Sequence, residues 1–288
     1  MIRRRLLSLP LLSFALVATA AGQGPRQGGP MREAYTLDQQ GRTSDARAIY
    51  QAIADSATDP ADRAAAWRSM AMSWAYDRDC PNVTKYEMMV ITYHMTRETA
   101  DPQDAFYQEG EMADEAGRVC LDAGDLDAAE WLYRLGHALG TKEPAPQTHP
   151  VSLWDYRLAH ALGRIAARRG NADEAWRQVR AARRILDGDS AMAAQQERFF
   201  PYLEGYVALY TNDLATAEAK LTQSINMQGN QRDAFMRVLL AMTYERQGKH
   251  DQAMAMYREA YDRATAHNPP SAYVRPLARE KLGITEAH

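Results

Sequence analysis

The sequence predicts an all-α chain of about six antiparallel helix pairs finished by a C-terminal capping helix, and three observations carry that prediction. One register of small and large residues recurs five times along the chain. Prolines fall between the copies, and within each copy apolar residues recur at helical spacing.

Each copy is anchored on a turn residue. A small residue lies seven positions before it, and small, large and small residues lie five, nine and twelve after it. From Gly170 the set is Gly163, Ala175, Val179 and Ala182, and from Gly124 it is Gly117, Ala129, Tyr133 and Gly136. From Gly248 it is Ala241, Ala253, Tyr257 and Ala260. From Gly41 it is Ala34, Ala46, Tyr50 and Ile53, the last a misfit. Asn212 is the fifth origin, with Gly205, Ala217, Leu221 and Ser224, since Asn also tolerates positive φ. The small residues let two helix backbones approach, the large one fills the groove between them, and the last small site admits the next pair.

Taken in order, residues 1–20 have the build of a cleaved signal peptide. Arg3, Arg4 and Arg5 precede an apolar run from Leu6 to Val17, and Ala18-Thr19-Ala20 supplies the small cleavage residues. No Cys follows for a lipid anchor, and retention of the signal as an anchor is the alternative. Residues 21–30 are Gly/Gln/Pro-rich and expected to be disordered. Residues 31–268 carry the helix pairs. Boundaries are marked by Asp59-Pro60, Asp101-Pro102, the stretch Pro144 to Pro150, and Asn268-Pro269-Pro270, through which a helix does not easily continue. In the second pair Trp67, Met70, Ala71 and Trp74 make a good first helix, but Asp79-Cys80-Pro81-Asn82 replaces the glycine turn. Met88 to Tyr93 is strand-like locally; the repeat register assigns it to a helix, where a lone strand would have no pairing partner. Later first helices are expected over 104–123, 154–169, 199–210 and 233–247. Residues 269–288 complete the chain, with a terminal helix over 272–282 whose Tyr273, Leu277 and Leu282 cover the exposed end of the last pair.

The small-turn-small-large-small register resembles the tetratricopeptide repeat family, across nearly the whole chain from about Met31 onward. That resemblance implies a right-handed superhelical solenoid whose first helices line a concave groove that holds polypeptide segments. The spacing departs from the family: Gly124 to Gly170 is 46 residues and Asn212 to Gly248 is 36, both longer than the family's repeat. The same geometry sets neighbouring first helices side by side with their turn ends together. Cys80 and Cys120, the two cysteines of the chain, are thereby expected within bridging range in an oxidising compartment; two free buried thiols are the alternative.

On the implied concave face, the fourth pair presents Arg157, His160, Arg164 and Arg168, and the fifth presents Phe199, Tyr202, Tyr206 and Tyr210. The third presents Glu111, Asp114, Arg118 and Asp122, and the sixth Phe235, Val238, Met242 and Arg246. Spacings of three and four keep each set on one helical face. Guanidinium groups hold carboxylates bidentately and phenol rings give rigid contact area, so these residues are the expected partner-binding set. The competing reading has the tyrosines packing between repeats and the arginines pairing with acids such as Asp122. Arg177, Arg180, Arg183 and Arg184 fall on the expected convex, solvated side.

No catalytic motif occurs: no His-Glu-x-x-His, phosphate loop, Gly-x-Ser-x-Gly or Cys-x-x-Cys. His94, His137, His149 and His160 lack ligand spacing. Met88 with Met89, and Met254 with Met256, cannot share a helix face. No cofactor, metal or enzymatic activity is expected. Net charge is −3, or about −6 once three signal arginines are removed, which speaks against nucleic acid as a partner. After signal cleavage no run reaches transmembrane length. The expectation is a periplasmic or secreted interaction scaffold that binds a protein or peptide in its groove. The alternative is a small-ligand or glycan-binding accessory protein using the aromatic groove. An open, long groove favours the first, and a groove closed by a lid or a deep pocket favours the second. The connector from Lys142 to Val151 is the candidate lid.

Overall fold

The computed structural model describes residues 29–285, and those residues form fourteen α-helices and one 3-10 turn, with no strand among them. The expected signal and most of the expected disordered stretch lie outside the described residues. The helices are α1 Pro30–Gln40, α2 Thr43–Ser56, α3 Pro60–Tyr76, α4 Cys80–Met95, α5 Pro102–Ala123, α6 Leu126–Gly140 and α7 Val151–Arg168. They continue with α8 Ala172–Gly188, α9 Ser190–Gln196, α10 Phe200–Tyr210, α11 Leu214–Asn226, α12 Ala234–Arg246, α13 His250–Arg263 and α14 Pro269–Lys281. No helix among the described residues is long and apolar enough to cross a membrane.

The boundary dipeptides turn out to be helix starts. Asp59 and Asn268 cap α3 and α14 by accepting from the backbone N–H of Ala61 and Ser271, and the following proline occupies the first turn. There its missing N–H costs nothing and its fixed φ suits the helix. Gly41, Gly124, Gly170 and Gly248 all adopt positive φ at corners between helices, and Asn212 does so at φ 68. The second pair turns differently from expectation. Asp79 caps α4 and Cys80 and Pro81 are already helical, so the corner falls on Asp77-Arg78-Asp79, with Arg78 itself at φ 57. Residues Met88 to Tyr93 are helical, within α4.

Large residues of the register fill the hairpins: Tyr50, Leu221 and Tyr257 are at most 1% exposed, flanked by Ala46, Ala217 and Ala253. Gly205 shows why its site must be small, because a Cβ there would lie 2.7 Å from the Leu221 side chain. The long spacing between Gly170 and Asn212 has a simple cause. Asp189 ends α8 and caps the short α9, and a 3-10 turn over Glu197–Phe199 leads into α10.

Consecutive helices pack on one another, and the odd-numbered α7 packs on α10 while α10 and α14 both pack on α12. Cys80 and Cys120 are joined as a disulfide, linking the first turn of α4 to the last turn of α5, and both are buried.

The final helix does more than cover α12 and α13. It also lies against α3 and α5, roughly 200 and 160 residues earlier in the chain. Arg275 and Arg279 donate to the carbonyls of Gln39 and Gln40 at the C-terminus of α1, satisfying acceptors that no helix N–H reaches. Tyr35 and Gln39 donate to the Thr265 carbonyl. His267 reaches Asp38 at 2.9 Å, and that carboxylate also accepts from Tyr50 and Ser73. Asp38 is 1% exposed, so this network ties the first hairpin to the segment entering α14.

Candidate functional site

Helices α5 and α7, the start of α10 and residues 268–270 line a cavity of about 370 Å³, and α14, which begins within those last residues, packs on α3 and α5. Helix α5 contributes Glu111, Asp114, Glu115 and Arg118. Helix α7 contributes Tyr156, Arg157, His160 and Arg164, while Tyr133 of α6, Gln196 of α9, Phe199 of the 3-10 turn and Tyr202 of α10 add to the lining. Asn268, Pro269 and Pro270 form the remaining wall.

Of the residues expected to bind a partner, Arg157, His160, Arg164, Phe199 and Tyr202 line this cavity. Arg168, Tyr206 and Tyr210 do not. Tyr206 is 1% exposed and packs against the Tyr210 ring in a tilted pair at 4.7 Å, and the Arg168 guanidinium sits 4.9 Å from the Tyr210 ring centre. Phe235 and Val238 are core residues, and Arg246 donates to the Leu209 carbonyl and to Asn212 instead of facing a groove. On α8, Arg177, Arg180 and Arg184 are exposed. The Lys142–Val151 connector is no lid. Buried Glu143 accepts from Thr148 and His149, and His149 stacks on Tyr107 at 3.9 Å, so the loop is braced away from the cavity. Asp155 pairs with His137 at 2.8 Å.

The polar groups of the cavity fall into two kinds. Some are neutralised pairs: Arg157 with Glu111 at 2.6 Å, and Arg68 with Glu115 at 2.6 Å. Others lack a matched partner. The Tyr156 hydroxyl and the His160 Nε2 are buried without a hydrogen bond. Arg164, 5% exposed, donates only to neutral groups: the hydroxyls of Tyr133 at 2.9 Å and Tyr202 at 3.3 Å, and the His160 carbonyl. Arg118 stacks over Phe235 at 4.4 Å and approaches Asp122 no closer than 3.9 Å.

Burial shifts the titration of these groups. The Asp114 carboxyl is pushed up to about 8 by burial, against the pull of Arg157 and Arg164, with Glu111 and Glu115 adding to the rise. Burial also raises Asp122, while Arg118, Arg164 and Arg168 pull it back. The His160 imidazole is held well below its usual range, first by burial and then by Arg164 and Arg118. At neutral pH the cavity therefore holds a neutral histidine and a largely protonated Asp114.

Asp114 yields a pH prediction. Its folded pKa lies above its unfolded value, so the folded state binds more protons between about pH 4 and pH 8, and stability falls as pH rises through that window. Asp114→Asn is expected to be more stable than the parent at pH 8 by about 1–3 kcal/mol and to match it near pH 4. Urea titrations at both pH values check this; an unchanged decline from pH 4 to 8 in the variant contradicts it.

Sequence reasoning missed Tyr156, Tyr133, Glu115 and the Asn268–Pro270 wall. Tyr133 carried a signal, as the large residue of its register, but its reach to Arg164 depends on how α6 and α7 pack. Tyr156 directly precedes Arg157, so a one-face reading of α7 leaves it out.

Compared with known proteins, the chain matches no protein-family model, and no curated protein is significantly similar to it.

Proposed function

We propose that this chain is a non-catalytic binding module of the cell envelope, built as a tetratricopeptide-like solenoid, and that its concave face holds a short ligand. The closure by α14 is the observation that carries this reading. An extended polypeptide needs a groove open at both ends, whereas here residues 268–270 border one side of an open-mouthed cavity of about 370 Å³, within the range of small-ligand sites. Buried Tyr156 and His160 atoms without hydrogen bonds support the same reading, because such groups are costly unless something pairs with them. An exported location is supported by the signal-like N-terminus and by the Cys80–Cys120 disulfide. A long polypeptide partner, the sequence's first suggestion, requires the α14 crossing to lift.

The test is native mass spectrometry of the protein isolated gently from the envelope fraction of its own cells. One small molecule retained per chain, and lost in Arg157→Glu/Arg164→Glu with helicity intact, is the expected result. Co-isolation of a polypeptide instead, unaffected by that double substitution, contradicts the reading.

A further inference from the structure

Resting on the reading of this cavity as a small-ligand site, we infer its chemistry: the ligand is a small monoanionic acid whose carboxylate meets Arg164 and Arg118, with a hydroxyl or N–H on the same molecule facing Tyr156 and His160.

Charge is the first argument. Arg164 is a buried guanidinium with no carboxylate within ion-pair distance; its hydrogen bonds go to two phenols and a backbone carbonyl. A cation taken out of water without a counter-charge is strongly disfavoured. Arg118 is nearly in the same position, at 3.9 Å from its one acid. Glu111 and Glu115 do not help, since each is committed to another arginine at 2.6 Å. Lining acids and arginines are equal in number, but the Arg164 fork has no carboxylate of its own, and a ligand carboxylate would supply one. Those two glutamates also line it, and they would repel a dianion. A planar carboxylate matches the guanidinium fork.

The second argument comes from the opposite polar groups. His160 Nε2 and the Tyr156 hydroxyl lie on neighbouring rings of α7, 5.8 Å apart between centres, and both line the cavity. The imidazole Nε2 is buried with no hydrogen bond, and it donates or accepts according to the tautomer. A ring nitrogen buried at 8% exposure calls for a hydrogen-bonding group on the ligand. The phenol can donate or accept, so one ligand hydroxyl can serve both.

Ligand-observed NMR and calorimetry on the full mature protein test this with three probes of one shape: 4-hydroxybenzoate, benzoate and 4-hydroxybenzamide. The expected order is 4-hydroxybenzoate tightest, benzoate about tenfold weaker, and 4-hydroxybenzamide without measurable binding. Tyr156→Phe removes only an unpartnered hydroxyl, so folding is expected to survive while 4-hydroxybenzoate affinity drops severalfold. Arg118→Gln, on the more exposed guanidinium, should weaken both acids at least tenfold. Equal binding of acid and amide, preference for inorganic phosphate, or no effect of either substitution overturns the inference. If no acid binds but a neutral small molecule is retained from the envelope fraction, the carboxylate chemistry is wrong and the ligand-site reading survives. If nothing small is retained at all, the reading itself fails.

Discussion

Gly140→Ala is expected to destabilise the fold by about 2–3 kcal/mol, although alanine is the better helix former by about 1 kcal/mol. The reason is the Trp154 indole, 1% exposed, which α7 inserts between α5 and α6. A Cβ at Gly140 would overlap the fused ring carbons, and one at Gly110 would overlap the far edge of the same indole. The backbones of α5 and α6 also touch at Gly110 and Gly136, where a Cβ on Gly136 would sit 2.9 Å from the Gly110 carbonyl oxygen. Neither wall can retreat, so the indole must leave its rotamer or the helices must separate. Thermal denaturation should show a fall of roughly 5–10 °C. Gly188→Ala is the control: it has nothing within 4 Å, so it should leave stability unchanged or raise it slightly. A Gly140→Ala variant as stable as that control would contradict the packing described for α5, α6 and α7.

Removing the disulfide as Cys80→Ala/Cys120→Ala should cost on the order of 3–4 kcal/mol. The bond spans 40 residues of sequence, covering α4 and most of α5, and restricts the unfolded chain accordingly. The loss should concentrate in the second pair, which has weak points of its own. Arg78 holds a left-handed conformation that an L side chain adopts at a cost of about 1–2 kcal/mol. Glu87 in α4 is 1% exposed with neither oxygen hydrogen-bonded, and its carboxyl is raised well above the usual range, first by burial and then by Glu115. Hydrogen exchange should therefore accelerate first in α4 when the sulfurs are removed. A change below about 1 kcal/mol in chemical denaturation, with α4 as protected as before, would show that packing alone holds this pair.

Much of the helix order was legible because its corners obey backbone sterics. Four glycines and Asn212 occupy left-handed positions that few other residues tolerate, and the small and large sites follow from them at fixed offsets. The second corner was misplaced because Arg78 carries no such signal. Helix α9 and the 3-10 turn were unreadable for a related reason: Ser190–Phe199 is too short for periodicity, so only the long gap between corners hinted at an insertion. Of the sets on α5, α7 and α10 grouped by spacings of three and four, the structure brings part of each to one cavity and leaves Asp122, Arg168, Tyr206 and Tyr210 out of it. Burial was not legible. A heptad-like face says which residues share a side, while exposure depends on what lies opposite. Here that is α14, attached through Arg275, Arg279 and His267 to residues more than 200 positions away. No local pattern encodes that return.

Contact of the first hairpin with the last helix and the segment entering it holds residues 268–270 beside the cavity lined by α5, α7 and α10. Spin labels at Ala52→Cys on α2 and Ala255→Cys on α13, both exposed positions in a chain whose own cysteines are bonded to each other, measure that contact directly. Pulsed dipolar spectroscopy should return one narrow distance distribution, which broadens when His267→Ala and Arg275→Ala cut the tie to α1. A broad distribution in the parent protein, insensitive to those substitutions, would mean that the two ends move apart freely and that residues 268–270 do not hold one side of the cavity.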